Sequence, residues 1–196
     1  MLIPSVVSPP LRLLAPDAAH LPAYVDALRR GWSPDNSRPE AAAEGLLEIE
    51  ADAASFLAAQ DSRNGGGPPV TLPDGSQVPR LPGFHRWMWD GEFCGEISFR
   101  WQPGTTDLPP HCLGHIGYSV VAWKQRRGHA TRALALMLDE IAGEGLPFVE
   151  LVTTLDNLAS QRVITANWGW MVERFRKLDA HGGAEGYRFR IELRKA

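Results

Sequence analysis

Cysteine is nearly absent from this chain: of its 196 residues only Cys94 and Cys112 are thiols, and they form no CxxC pair. That excludes a disulfide scaffold, and two isolated thiols are expected to stay reduced in a cytoplasmic protein. The six histidines show no HxxxH or Cys/His ligand spacing, so no metal is expected. No run of about 18 apolar residues occurs, which argues against a membrane-spanning helix. Residues 1–10 lack a basic leader and are broken by Pro4, Pro9 and Pro10, unlike a secretory signal. Basic excess is missing too: 20 Lys plus Arg stand against 23 Asp plus Glu, a net charge of -3. A nucleic-acid partner is therefore not expected. Without an internal repeat, solenoid folds fall away.

What remains is globular in composition, 44% hydrophobic and 22% charged, and its length suits one domain spanning 1–196. The 19 glycines and 16 prolines predict several stiff or long loops. Residues 11–14 read as a short strand, and 18–30 and 40–60 as helices. The second helix carries Leu46, Ile49, Ala53, Phe56 and Leu57 on a near-helical stripe, interrupted by Glu50. Between the helices, 31–39 is turn-rich with one exposed-looking Trp, and 61–83 is expected to be a long loop. Asp90-Gly91 joins strands 84–89 and 93–101 as a hairpin. A Pro/Gly loop at 103–112 leads to a strand over 115–122. An amphipathic helix follows, with Ala130, Ala133, Leu134, Met137, Leu138 and Ile141 on one stripe. Then come an apolar strand 148–154, a helix 157–167, and strands 170–177 and 186–194. The order β-α-α-β-β-β-α-β-α-β-β gives an α/β fold with parallel and antiparallel pairs.

The chemistry concentrates between strand 115–122 and the helix after it. Gln125-Arg126-Arg127-Gly128-His129-Ala130 stands at a helix start, where free amides and the positive dipole end bind anions. Gly128 removes a Cβ from the path of a phosphate. The segment lacks both the P-loop spacing and the three glycines of a dinucleotide fingerprint. Exposed arginines at an ordinary helix start are the plainer alternative.

Gln125-x-x-Gly128-x-Ala130 resembles the Q/R-x-x-G-x-G/A acetyl-CoA signature of the GNAT superfamily of N-acetyltransferases. Asp156 to Ser160, then Val163, Ile164, Asn167 and Gly169, is similar to the family's second conserved helix. The likeness is specific over about residues 91–176. It implies a GNAT-type mixed central sheet of about seven strands flanked by helices, in which 115–122 splays from its parallel neighbour 148–154. It further implies acetyl-CoA as acetyl donor, with the pantetheine arm against Val120, Val121 and Ala122. The pyrophosphate would lie on Gln125, Arg126, Arg127, Gly128, His129, Ala130 and Thr131, with Asn157 and Ser160 near the arm. Many members carry a tyrosine acid in the helix after the Asn. Here Val163-Ile164-Thr165 stands there, which leaves a non-catalytic acyl-CoA sensor or pseudoenzyme as the alternative to an N-acetyltransferase.

Tyr118 is the nearest substitute acid by sequence, against a packed aromatic on a buried strand. A neutral amine requires a base. Glu150, a lone charge in an apolar strand, is the first candidate, although a carboxylate paired with an arginine is the plainer reading. Glu96 and His115 follow, while His129 reads as a helix cap. Trp87 and Trp89, two apart, are expected on one strand face, as core packing or as an aromatic wall. The expected acceptor is a small-molecule amine or a peptide, with no membrane partner, handled by a monomer or homodimer. Its walls are expected at 31–39 and 178–185.

Overall fold

The structure is a computed structural model that describes residues 9–36, 38–67, 69–71, 76–178 and 183–193. The expectations for residues 1–8, for 37 in the 31–39 segment, for 68 and 72–75 in the 61–83 segment, for 179–182 in the last hairpin loop and for residue 194 fall outside them.

β1 (Arg12–Leu14) leads to α1 (Leu21–Arg29) and α2 (Ala41–Ala59). α1 opens with proline in its first turn, where a missing amide hydrogen costs nothing, and buries Tyr24, Ala27 and Leu28. α2 is not one continuous helix. Asp52 is extended (φ -159°, ψ 92°) and its Oδ1 accepts the amides of Ala54 and Ser55 at 3.0 Å each, restarting the helix as an N-cap. Among the described residues of 61–83 lie three two-residue strands, β2 (Asp61–Ser62), β3 (Val70–Thr71) and β4 (Gln77–Val78).

β5 (Gly83–Trp89) and β6 (Phe93–Arg100) form the hairpin, and Gly91 takes the left-handed φ of 104° that its turn needs. β7 (Ile116–Val120), α3 (His129–Glu140), β8 (Phe148–Thr154), α4 (Leu158–Ala166), β9 (Trp170–Arg176) and β10 (Glu185–Glu192) complete the chain. The strands divide into a sheet ordered β1-β5-β6-β7, with β2 also on β5, a second ordered β8-β10-β9, and the small β3-β4 pair. All ladders among the described residues are antiparallel. The two larger sheets touch where the His115 amide donates to Glu150 O at 2.7 Å. Gly114 permits that approach, because a Cβ there would stand 2.9 Å from Glu150 O.

One core joins both sheets beneath α3 and α4: Ala133, Leu134, Met137, Ile141 and Ile164 pack on Ile97, Phe99, Ile116, Val149, Leu151, Phe189 and Ile191. Each fully buried side chain of Leu or Met size contributes about 1.5–3 kcal/mol. The opposite face of the first sheet is covered by α1 and α2 through Tyr24, Leu28, Trp32, Phe56, Trp87, Phe93 and Val121. Trp32 is thus buried, not exposed; its indole N–H donates to Ser119 Oγ at 2.9 Å. Trp87 stacks on Tyr24, and Trp89 packs against the same cluster while staying partly open against His20, so the two share the face expected of them.

Candidate active site

β7 is three residues shorter than its sequence suggests: it begins at Ile116 and ends at Val120, because Val121 is the N-cap of a 3-10 turn over Ala122–Lys124. The next segment carries two left-handed residues, Arg126 (φ 59°) and Gly128 (φ 78°). Such turns make concave nests of amides. Gly128 is the N-cap of α3, and the space where a Cβ would stand is open. Its backbone conformation, rather than crowding within the chain, is what favours glycine. The amides of His129, Ala130 and Thr131 open the helix without intrahelical acceptors. Gln125, Arg126 and Arg127 are exposed around them.

The loop is braced from within. Lys124 Nζ lies 2.9 and 3.2 Å from the Asp90 carboxylate and 2.8 Å from Glu92 Oε2, and His129 Nε2 is 3.3 Å from Asp90 Oδ2. His129 therefore does not cap α3 with its ring. Burial alone would raise Asp90, but hydrogen bonds from Lys124 and Cys94 and the ammonium charge outweigh it, holding the carboxyl below its ordinary range. Burial lowers His129 despite the nearby Asp90 charge. Asp90, Cys94 and His129 come close enough to share an ion, yet the buried Lys124 ammonium already stands on that carboxylate.

Register fixes which edge of β7 is open. The Val121 amide donates to Cys94 O at 3.0 Å and the Arg100 amide to His115 O at 2.9 Å. Ser119 and Gly117 lie between them opposite Glu96 and Ser98, so Ile116, Tyr118 and Val120 turn N–H and C=O away from β6. The outward carbonyls have side-chain partners: Val120 O accepts Gln125 Nε2 at 3.2 Å, and Tyr118 O accepts Asn36 Nδ2 at 3.0 Å. Ser119 Oγ reaches Ser33 O at 2.8 Å, so the α1–α2 connection is tied to β7.

Tyr118 points to the face of α3 and α4, where its hydroxyl donates to Ser160 O at 3.4 Å. Burial pushes its phenol up to about 12. Asn157 caps α4, its Oδ1 accepting the Ser160 amide at 3.0 Å. Ile164, within the segment that lacks the tyrosine, is core.

Glu150 faces away from that core and lies in a fork: Oε1 is 2.7 Å from Arg190 Nη2 and Oε2 3.0 Å from Arg188 Nη1. The arginine-paired reading of Glu150 matches this geometry. The pair borders a cavity of about 590 Å³ between the 107–113 loop and β9 and β10. His115 is buried, with Nδ1 accepting the Glu150 amide at 3.0 Å, and desolvation brings it down to about 4. Glu96 is buried as well, and its Oε1 lies 2.7 Å from Nδ1 of the half-exposed His85. The parts missed by sequence reasoning are Asp90 with Lys124, the Trp32–Ser119–Asn36 tie, and His85. All depend on contacts between distant strands, and Asp90 read only as a turn residue.

A family model described as an acetyltransferase (GNAT) domain matches residues 11–167. Among solved structures, RimL, a ribosomal L7/L12 alpha-N-protein acetyltransferase in complex with coenzyme A, is 16% identical with a TM-score of 0.60, covering 97% of each chain. The microcin C7 self-immunity acetyltransferase MccE, in complex with acetyl-CoA and AMP, is 12% identical with a TM-score of 0.59, covering 93% of this chain and 92% of that one. An acetyltransferase from Salmonella typhimurium that modifies the N-terminal serine of L7/L12 is 15% identical with a TM-score of 0.59, covering 98% and 99%. No curated protein matches the chain.

Proposed function

The chain belongs to the GNAT acetyltransferase family, and from that premise we propose that it moves acetyl from acetyl-CoA to a primary amine of a small molecule or peptide by direct attack. The observation that carries this reading is the nest of amides at Arg126 to Thr131, set directly beyond the edge of β7 that faces away from β6. The pyrophosphate rests on those amides. In this reading β7 and β8 part beyond the His115–Glu150 contact, and the pantetheine arm runs along Tyr118 and Val120. Gln125 and Asn36 then yield the two carbonyls they hold. The Val121 amide is spent on Cys94, so the Val120 amide polarises the thioester carbonyl.

Tyr118 supplies the proton for the departing thiolate: its hydroxyl points to the α4 side at Ser160, beside the path of the arm, and a phenol is protonated at neutral pH. An acetyl-cysteine route is disfavoured: burial pushes Cys94 up to about 12, away from thiolate. The acceptor enters beside the connection between α1 and α2, and the ribosomal-protein substrates of RimL and its Salmonella counterpart make a peptide N-terminus the first class to try. A screen of peptide N-termini, amino acids and small amines, read by free-thiol release, tests this. Thiol release with an amine supports the enzyme; CoA binding without release from any amine supports the sensor instead.

A further inference from the structure

An amine reaching this site at neutral pH arrives as an ammonium ion and must lose a proton before it can attack. The sheet face turned away from α3 and α4 carries the groups that could take it. Glu150 is held by Arg188 and Arg190 through both oxygens. His115 uses Nδ1 as the acceptor of a backbone amide, so its neutral ring keeps its proton on Nε2 and offers no second lone pair. His85 differs. Its Nδ1 lies 2.7 Å from Glu96 Oε1, a carboxylate that can only accept, so Nδ1 carries the proton and Nε2 keeps its lone pair. Nε2 has no partner among the described residues. The His85 side chain is 38% exposed, against 6% for Glu96. Glu96 Oε2 is buried with no hydrogen-bond partner, an arrangement that costs stability unless the carboxylate does something there.

Three strands carry this pair toward the proposed thioester. His85 lies opposite Ser98, and Ser98 opposite Gly117, on one face. Gly117 itself adds no side chain there, and Arg100 Nη2 and Ser98 Oγ lie 3.5 and 3.6 Å from where its Cβ would stand. Ser98 Oγ accepts from Arg100 Nη2 at 2.9 Å and faces Gly117 O at 3.5 Å. Two strand spacings put His85 about 10 Å from Gly117, too far for a single water, so the relay between amine and ring runs through the Ser98 hydroxyl and at least two waters.

We propose that His85 is the proton acceptor for the incoming amine and that Glu96 is the positioning residue that holds its tautomer. The proposal rests on the acetyl-transfer reading. The ammonium gives one proton through the relay to His85 Nε2. The freed nitrogen lone pair forms the C–N bond, and the thioester C–S bond breaks. The second nitrogen-bound proton balances the one that Tyr118 gives to the CoA sulfur, and the imidazolium proton leaves to solvent. The products are the amide, CoA thiol and one proton.

The test uses the full chain, acetyl-CoA and the amine selected by the thiol-release screen. His85→Ala and His85→Gln, each checked for fold by circular dichroism, should lower kcat about a hundredfold or more, with acetyl-CoA affinity unchanged. Added imidazole should restore His85→Ala at least tenfold, which lost packing would not allow. Glu96→Gln should lower kcat about tenfold without changing acetyl-CoA affinity. Wild-type turnover with a kcat within threefold of it in His85→Ala, or a loss that imidazole leaves untouched, overturns the proposal while the acetyl-transfer reading stands. Absence of wild-type thiol release from every amine removes that reading, and this proposal with it.

Discussion

Lys124 sets its ammonium 2.9 Å from Asp90 Oδ1, with the two side chains only 7% and 3% exposed. The hairpin turn between β5 and β6 thus grips the entry of the phosphate loop, while His129 meets the same carboxylate at its exit. Removing one member of a buried pair strands the other charge, at a cost of about 3–5 kcal/mol. Lys124→Met, which leaves the buried Asp90 carboxylate without its ammonium, should show that loss in urea unfolding, whereas Asp90→Ala leaves Lys124 its Glu92 partner and should cost less. The double change Asp90→Leu with Lys124→Met should lose much less, since an apolar replacement strands no charge. Equal losses would mean that the pair contributes through shape alone.

His115 makes stability depend on pH. The unfolded chain takes up its imidazole proton near 6.5, the folded chain only near 4, because burial disfavours the imidazolium. Between those values the unfolded state binds more protons, so stability is whole above about pH 6.5 and falls as pH drops toward 4. The shift corresponds to about 3 kcal/mol. Urea midpoints from pH 7 to 4 should fall for the parent and fall distinctly less for His115→Gln.

Tyr118→Phe removes a single hydroxyl from a residue whose ring still packs against the core. Loss of the acid should lower kcat by about 10²-fold, near the low end for acid–base groups. Binding of acetyl-CoA should change by less than threefold in a titration. A parallel loss of affinity would assign the hydroxyl to cofactor binding.

Gly128→Val should weaken acetyl-CoA binding far more than Arg126→Ala. A β-branched side chain disfavours φ 78° and would stand in the space a phosphate takes, whereas an exposed charge is worth about 1 kcal/mol or less. Equal losses in calorimetry would show that arginine charge dominates.

Sequence periodicity located α3, because its apolar stripe faces a core and little competes with that signal. The 90–91 turn and the helix start at Gly128 are legible because both signals are local; that Gly128, like Gly91, is left-handed emerges only from the backbone. The kink at Asp52 was hidden because a polar interruption in a stripe does not say whether the backbone bends. Trp32 looked exposed since its partner Ser119 lies 87 residues away. Glu150 drew notice as a lone charge in an apolar strand, but its arginines sit on β10, and only register brings them beside it. The cofactor side of the site is local in sequence and readable; the acceptor side is assembled across strands and is not.

Calorimetric titration of the wild-type chain with acetyl-CoA, CoA and ATP tests the central claim most directly. Micromolar binding of acetyl-CoA and CoA, far weaker binding of ATP, and loss of the CoA signal in Gly128→Val are the expected results. Micromolar ATP binding with no heat from either CoA species would contradict the account.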